Sequence, residues 1–151
     1  MGQKTAPSER RSRPITKADE KTSKVTLLLD TTVLIDVLRA RNNRRLLLAE
    51  LVEAGHTLTT AAINIGEVYS GMKPSETDAT EDLLSSLVCY PITATIARRA
   101  GSLKSKWAQK GQTLTLADMM VAAVALEHQL TLMTDNRKDF PVPSLSFFPL
   151  P

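Results

Sequence analysis

The stretch 25-VTLLLDTTVLIDVLRA-40 decides the fold. Val25 to Leu29 form a short, continuous apolar run that breaks at a carboxylate, the pattern of a strand buried on both faces of a parallel sheet. From Thr32 the apolar residues recur at helical spacing through Ala40. A buried strand feeding directly into a helix is half of a β-α-β unit, and the residues at the joint, Asp30, Thr31 and Thr32, are the only polar ones between Thr26 and Asp36. A charge in that position needs a reason.

Working outward, the same alternation continues. NNRRLLLAELVEAG (42–55) reads as a second helix closed by Gly55, and HTLTT (56–60) as a second strand. Residues 64–71 and 76–86 read as helices, and LVCYPI (87–92) as a third strand broken off at Pro91. A long helix over 93–110 carries Ile96, Ala100, Leu103 and Trp107 on one core-facing stripe and stops at Gly111. Then follow the helix TLTLADMMVAAVALEHQL (113–130), a fourth strand TLMT (131–134) and a short edge strand in LSFF (145–148). Alternating strands and helices predict an α/β fold with a mostly parallel central sheet covered on both faces. No internal repeat interrupts it.

The composition fits one domain: 151 residues, 42% hydrophobic, are enough for a single core. Residues 1–24 hold seven Lys or Arg against three acids and almost no large apolar side chain, so this stretch is expected to be a disordered basic tail ahead of a domain spanning 25–151. The tail accounts for the net charge of +3. It would attract RNA electrostatically or be an inert extension. No apolar run is long enough for a membrane span, and the lone Cys89, set in SLVCYPI, reads as a buried thiol in a reducing compartment. A cytoplasmic location follows as the expectation.

In an open parallel sheet the functional crevice lies at the carboxyl ends of the strands. Asp30 ends the first strand, Glu67 opens the helix after the second, Asp118 opens a late helix, and Asp135 with Asn136 follows the fourth strand. Asp118 is the only charge between Lys110 and Glu127, in a helix apolar nearly all round. A buried lone carboxylate costs several kcal/mol unless something compensates it, and a cation is one remedy. Helix capping is the competing account. Asn64-Ile-Gly-Glu67 and Thr115-Leu-Ala-Asp118 both match a capping box, and Asp30 with its two threonines is an ordinary helix start. Caps do not explain why so few other charges occur in these stretches.

These residues at this spacing resemble the PIN-domain ribonucleases, and more narrowly the toxins of the virulence-associated-protein C family. LLLDTTVLIDVLR is similar to the family's opening strand and first acid, AAINIGEVYSG to its second-acid segment, and LTLADMMVAAVALEHQLTLMTDNRKDF to its third-acid helix, next strand and closing Thr-x-Asn/Asp element. The resemblance implies a PIN-like three-layer α/β/α sandwich. It implies Asp30, Glu67 and Asp118 as catalytic acids, with Asn136 and Thr134 as supporting polar groups and Asp135 as a further candidate; beside the resemblance, the Thr32 hydroxyl is a candidate to bond a ligand carboxylate or a metal-bound water. Where many members carry a fourth acid this chain has Asn136, and the neighbouring Asp135 points elsewhere if the turn is kept.

A set of carboxylates suits Mg2+ or Mn2+ and not zinc, which prefers His and Cys. The implied activity is hydrolysis of RNA phosphodiester bonds by water activated at the metal. The implied partners are an RNA substrate, a cognate antitoxin and a second copy in a homodimer, with no membrane. Arg99, Lys106 and Lys110, on one flank of the long helix, are candidate phosphate contacts or a solvated strip. A metal-free ribonuclease would need His56 and His128 to converge, whereas each reads as a turn, dipole or surface residue. The rival from another class is a non-catalytic binding module whose acids only cap helices.

Overall fold

A computed structural model of the protein describes residues 24–151; the expectations for the basic tail, apart from Lys24, lie outside the described residues. Five strands among them, β1 (Thr26–Leu29), β2 (Thr57–Ala61), β3 (Val88–Tyr90), β4 (Thr131–Met133) and β5 (Ser146–Phe147), form one sheet in the order β3-β2-β1-β4-β5. Every pairing is parallel, with Leu28 opposite Thr59 on one side and Leu132 on the other. β1 is central, as its unbroken Leu27-Leu28-Leu29 run requires, since all three are fully buried.

Because successive strand residues face opposite ways, the sheet divides the core into two layers. Leu28, Ala61 and Leu132 face one layer, built with α5 (Ala94–Gln109) and α6 (Leu116–His128). Leu27, Leu29 and Met133 face the other, built with α1 (Thr31–Leu38), α2 (Arg44–Glu53), α3 (Ala62–Ser70) and α4 (Thr77–Ser85). The result is the predicted three-layer α/β/α sandwich. Within α5, Ile96 and Ala100 are buried while Leu103 and Trp107 pack only partly, so the expected stripe faces the core with its lower end at the edge.

Local endings follow the sequence. After α2, Gly55 takes φ +94°, and the amides of Gly55 and His56 donate to Val52 and Leu51 carbonyls, a glycine-closed Schellman end. Thr93 and Thr115 cap α5 and α6 through their hydroxyls.

Several expectations need correction. Cys89 is exposed, because β3 is an edge strand and only part of its apolar run faces a layer. His56 is buried, with Nδ1 accepting from the Val25 amide, so it ties β1 to the turn before β2 and is not a surface group. Helix α3 begins two residues before Asn64. That leaves Asn64 inside the first turn, accepting through Oδ1 from the Ala61 amide, and Glu67 in the second turn. The capping box predicted for Asn64 and Glu67 therefore does not form.

Candidate active site

Asp30 follows β1 directly, and its amide continues the sheet by donating to Met133 O at 3.0 Å. It stands at the N-cap of α1, yet its side chain makes no cap bond. Instead Oδ2 accepts from Thr134 Oγ1 at 2.8 Å and Oδ1 from Asn64 Nδ2 at 3.3 Å. The carboxylate is thus held across the sheet's carboxyl edge by the segments after β4 and β2, with only 5% of the residue exposed. Burial lifts its pKa from 3.8 to about 6 against the opposing pull of the Thr134 hydroxyl and the Thr31 amide, and the charges of Asp118 and Glu67 add to the rise.

Glu67 projects from α3 and accepts from Thr31 Oγ1 at 2.8 Å, and the same hydroxyl accepts from Asn64 Nδ2 at 3.0 Å. Asn64, fully buried, therefore binds Asp30, Thr31 and its own helix start at once. Sequence reading assigned the supporting hydroxyl to Thr32, but Thr31 makes the bond to the carboxylate. Thr32 Oγ1 is buried among the described residues with no partner.

Asp118 lies in the first turn of α6, its amide donating to Thr115 Oγ1 at 3.1 Å. The neighbouring Met119 and Val121 to Ala125 are buried as the sequence demanded, whereas Asp118 itself is only half-buried because it faces the open end of the sheet. Its pKa is raised, first by burial, then by the charges of Asp139 and Glu67, while the Thr115 hydroxyl lowers it. The cap reading accounts for its amide and leaves its perturbed carboxyl unexplained.

After β4, Thr134 Oγ1 accepts from the Asn136 amide at 3.1 Å while donating to Asp30. Asp135 turns away, as expected, and pairs with Arg44 Nη2 at 2.8 Å. Arg44 is 3% exposed at the start of α2 and also donates to Asn42 O at 3.3 Å. Ala40, Asn42 and Asn43, in the loop before it, all have positive φ near 55°. Asparagine tolerates that conformation, which is what the NNRR sequence provides.

The acids thus face one end of the sheet, where the charge of Glu67 adds to the raised pKa of both Asp30 and Asp118. Even so, no three His, Cys, Asp or Glu side chains among the described residues stand close enough to hold a metal ion as they are placed. The arrangement is an open rim of like charges, not the closed triad the sequence suggested. It fits a hard cation that keeps several waters: every donor is oxygen, and Asp30 is buried at the cost of a raised pKa.

Of the candidate phosphate contacts, Arg99 is paired with Glu127 at 3.3 Å and Lys110 sits over the Trp107 ring at 4.6 Å, which leaves Lys106 exposed. His56 and His128 do not converge; His128 stacks on Tyr90 with ring centroids 4.3 Å apart. Sequence reasoning passed over Asn64 as a cap, and Arg44 and Asp139 altogether. For Asp139 the available signal was its place one tight turn beyond Asn136.

Comparison with known proteins bears on the family and the fold. The PIN domain family matches residues 27–142. Ribonuclease VapC19 of Mycobacterium tuberculosis (strain CDC 1551 / Oshkosh) is 31% identical over 76% of this chain and 92% of its own, and ribonuclease VapC10 of the same strain 32% over 77% and 86%. Among solved structures, a toxin-antitoxin complex from Klebsiella pneumoniae superposes with a TM-score of 0.65 at 30% identity, covering 78% of this chain and 92% of that one. VapBC2 from Rickettsia felis, bound to a promoter DNA fragment, superposes at 0.69 with 24% identity over 82% and 97%, a likeness of fold.

Proposed function

This chain belongs to the PIN-domain family, and from that premise we propose that it is an endoribonuclease toxin held in check by a cognate antitoxin. The observation that carries the reading is Asp30. A carboxylate 5% exposed forgoes its own helix cap and is fixed by Asn64 and Thr134 facing two further acids. Burying an acid there is unfavourable in the apo protein and becomes useful when a cation shares it.

Asp30, Glu67 and Asp118 would hold Mg2+ or Mn2+, with Asn136, Thr134 and Thr32 supporting and Asp135 serving the loop. Bound there, the cation supplies Lewis acidity toward a phosphoryl oxygen and lowers the pKa of water. The chain's own residues do the rest. Asn64 and Thr134 fix both Asp30 oxygens, Thr31 fixes one oxygen of Glu67, and the apolar α6 keeps Asp118 from swinging into solvent. A shift of the first turn of α1 would be needed for the buried Thr32 hydroxyl to bond a bound water or a substrate oxygen.

The domain runs from Val25 to Pro151. RNA is the substrate, and the protein works in the cytoplasm as a homodimer; among the described residues no helix is long and apolar enough to cross a membrane. For the antitoxin, an apolar groove of about 580 Å3 between α1, α2 and α4, lined by Leu38, Leu48, Val52, Leu83 and Leu87, suits the nonpolar face of a partner helix.

The test is Asp118→Asn, which keeps shape and removes charge. Purified wild type should cleave labelled RNA with Mg2+ or Mn2+ and stop in EDTA, and the variant should fold normally and lose at least about 100-fold in rate. Cleavage that survives EDTA and the substitution would sink the metal mechanism and favour the non-catalytic binding module.

A further inference from the structure

A polyanion must approach an acidic rim, so the chain needs cations beside it that are not already paired. The α5 flank fits poorly, because Arg99 is paired with Glu127 and the hollow that holds Lys106 shares no lining residue with the acidic site. A different opening of about 700 Å3 borders the site directly. Its walls are Thr134 to Lys138 and Pro149 to Pro151, and Thr134 is the residue that donates to Asp30. The groove and the buried carboxylate therefore share a wall.

Two cations line it. Arg137 and Lys138 lie on the 3-10 turn Arg137–Asp139 and are both exposed, and among the described residues neither has an ion-pair or side-chain hydrogen-bond partner. Arg137 lies over the Phe147 ring at 4.8 Å. Stacking holds the guanidinium plane and leaves its N–H edges for a bidentate acceptor such as two oxygens of a phosphate. The same turn carries Asp139, whose charge acts on Asp118, so one short element presents an acid to the site and cations to the groove.

We propose that this groove is the track of the RNA strand as it leaves the scissile phosphate, with Arg137 and Lys138 binding adjacent backbone phosphates. The assignment rests on the nuclease reading above and adds the path of the substrate. The contacts are to backbone, so they position the strand without reading its sequence.

The experiment measures binding of a short labelled single-stranded RNA to the full chain in EDTA, across a salt series. Loss of both side chains in Arg137→Ala/Lys138→Ala should flatten the log-log salt slope by about 1.4, or about 0.7 per phosphate contact on a single strand. With Mg2+ the same variant should raise KM and leave kcat near wild type. Arg137→Lys/Lys138→Arg should restore the slope, which separates charge from any loss of folding. Arg98→Ala, in the shallow hollow on α5, should change neither. An unchanged slope in the first variant, or a greater loss in the α5 variant, overturns the track. Wild type that binds RNA without metal-dependent cleavage refutes the nuclease reading instead, while the slopes still report on the groove.

Discussion

Replacing Asp30 by Asn should make the protein inactive and more stable, by an amount the structure sets. Holding a carboxyl at about 6 in place of 3.8 costs its ionised form about 3 kcal/mol at neutral pH, at 1.36 kcal/mol per pH unit. The amide removes that charge and fills the same space. Its oxygen can still accept from Asn64, but its NH2 must face Thr134 Oγ1, which now donates to the other carboxylate oxygen. Thr134 can accept this new bond, and its own proton loses a partner at about 1 kcal/mol. The net gain is about 2 kcal/mol, or about 8 °C in Tm for a domain of this size. The folded-state pKa is raised, so between 3.8 and about 6 the folded state holds a proton that the unfolded state has released, and wild-type stability falls as pH rises through that window. The variant's advantage should therefore be full above pH 6 and vanish below pH 4. Mg2+ at 100 times its dissociation constant should return about 2.7 kcal/mol to wild type and nothing to the variant. Thermal melts of both proteins in EDTA and in Mg2+, from pH 4 to 8, read all of this. A variant no more stable than wild type at pH 7.5, or one whose advantage grows toward acid, would refute the account of a strained, cation-seeking carboxylate.

Other substitutions separate the roles of neighbouring residues. Asn136→Asp adds a carboxylate beside Thr134, and calorimetry should find tighter Mn2+ binding, with a lower melting temperature in EDTA from added repulsion. Thr31→Val strips the hydroxyl from between Asn64 and Glu67; kcat should fall about 10- to 100-fold with little change in KM, and a raised KM with unchanged kcat would reassign Thr31 to substrate binding. Asp135→Asn leaves Arg44 buried without its counter-charge and should destabilise the fold by about 2 kcal/mol in denaturant melts while metal affinity stays unchanged; a lost metal site would put Asp135 among the ligands.

The fold was legible because its signals are local and repeated. Leu27-Leu28-Leu29 could be buried on both sides only in a central strand, and the glycine at 55 and the threonines at 93 and 115 marked helix ends where they occur. The acids at 30, 67 and 118 were legible as charges in apolar surroundings. What escaped was the set of partners across long sequence separations. Asn64 meets Asp30 over 34 residues and Arg44 meets Asp135 over 91, and no periodicity records such pairings. Thr31 and Thr32 are alike in sequence, and only the direction of the first turn of α1 decides which hydroxyl reaches Glu67. Cys89 was misread for a related reason: an apolar run does not say whether its strand is central or at the edge, and β3 is at the edge.

The partners also differ in kind. Asp135 is neutralised by a buried arginine at 2.8 Å. Asp30 and Glu67 are held by an amide and two hydroxyls, and neither they nor Asp118 has an ion-pair partner among the described residues. Neutral donors fix where an anion points without cancelling its charge. A fold built only for stability would have no reason to treat these acids differently, since an arginine beside Asp30 would draw its pKa down from about 6 and recover much of the lost stability. Leaving the negative charge oriented and unneutralised makes sense if a cation from solution completes it. For that reason the contrast between Asp135 and Asp30 argues for a metal-binding role more strongly than the closeness of the acids does.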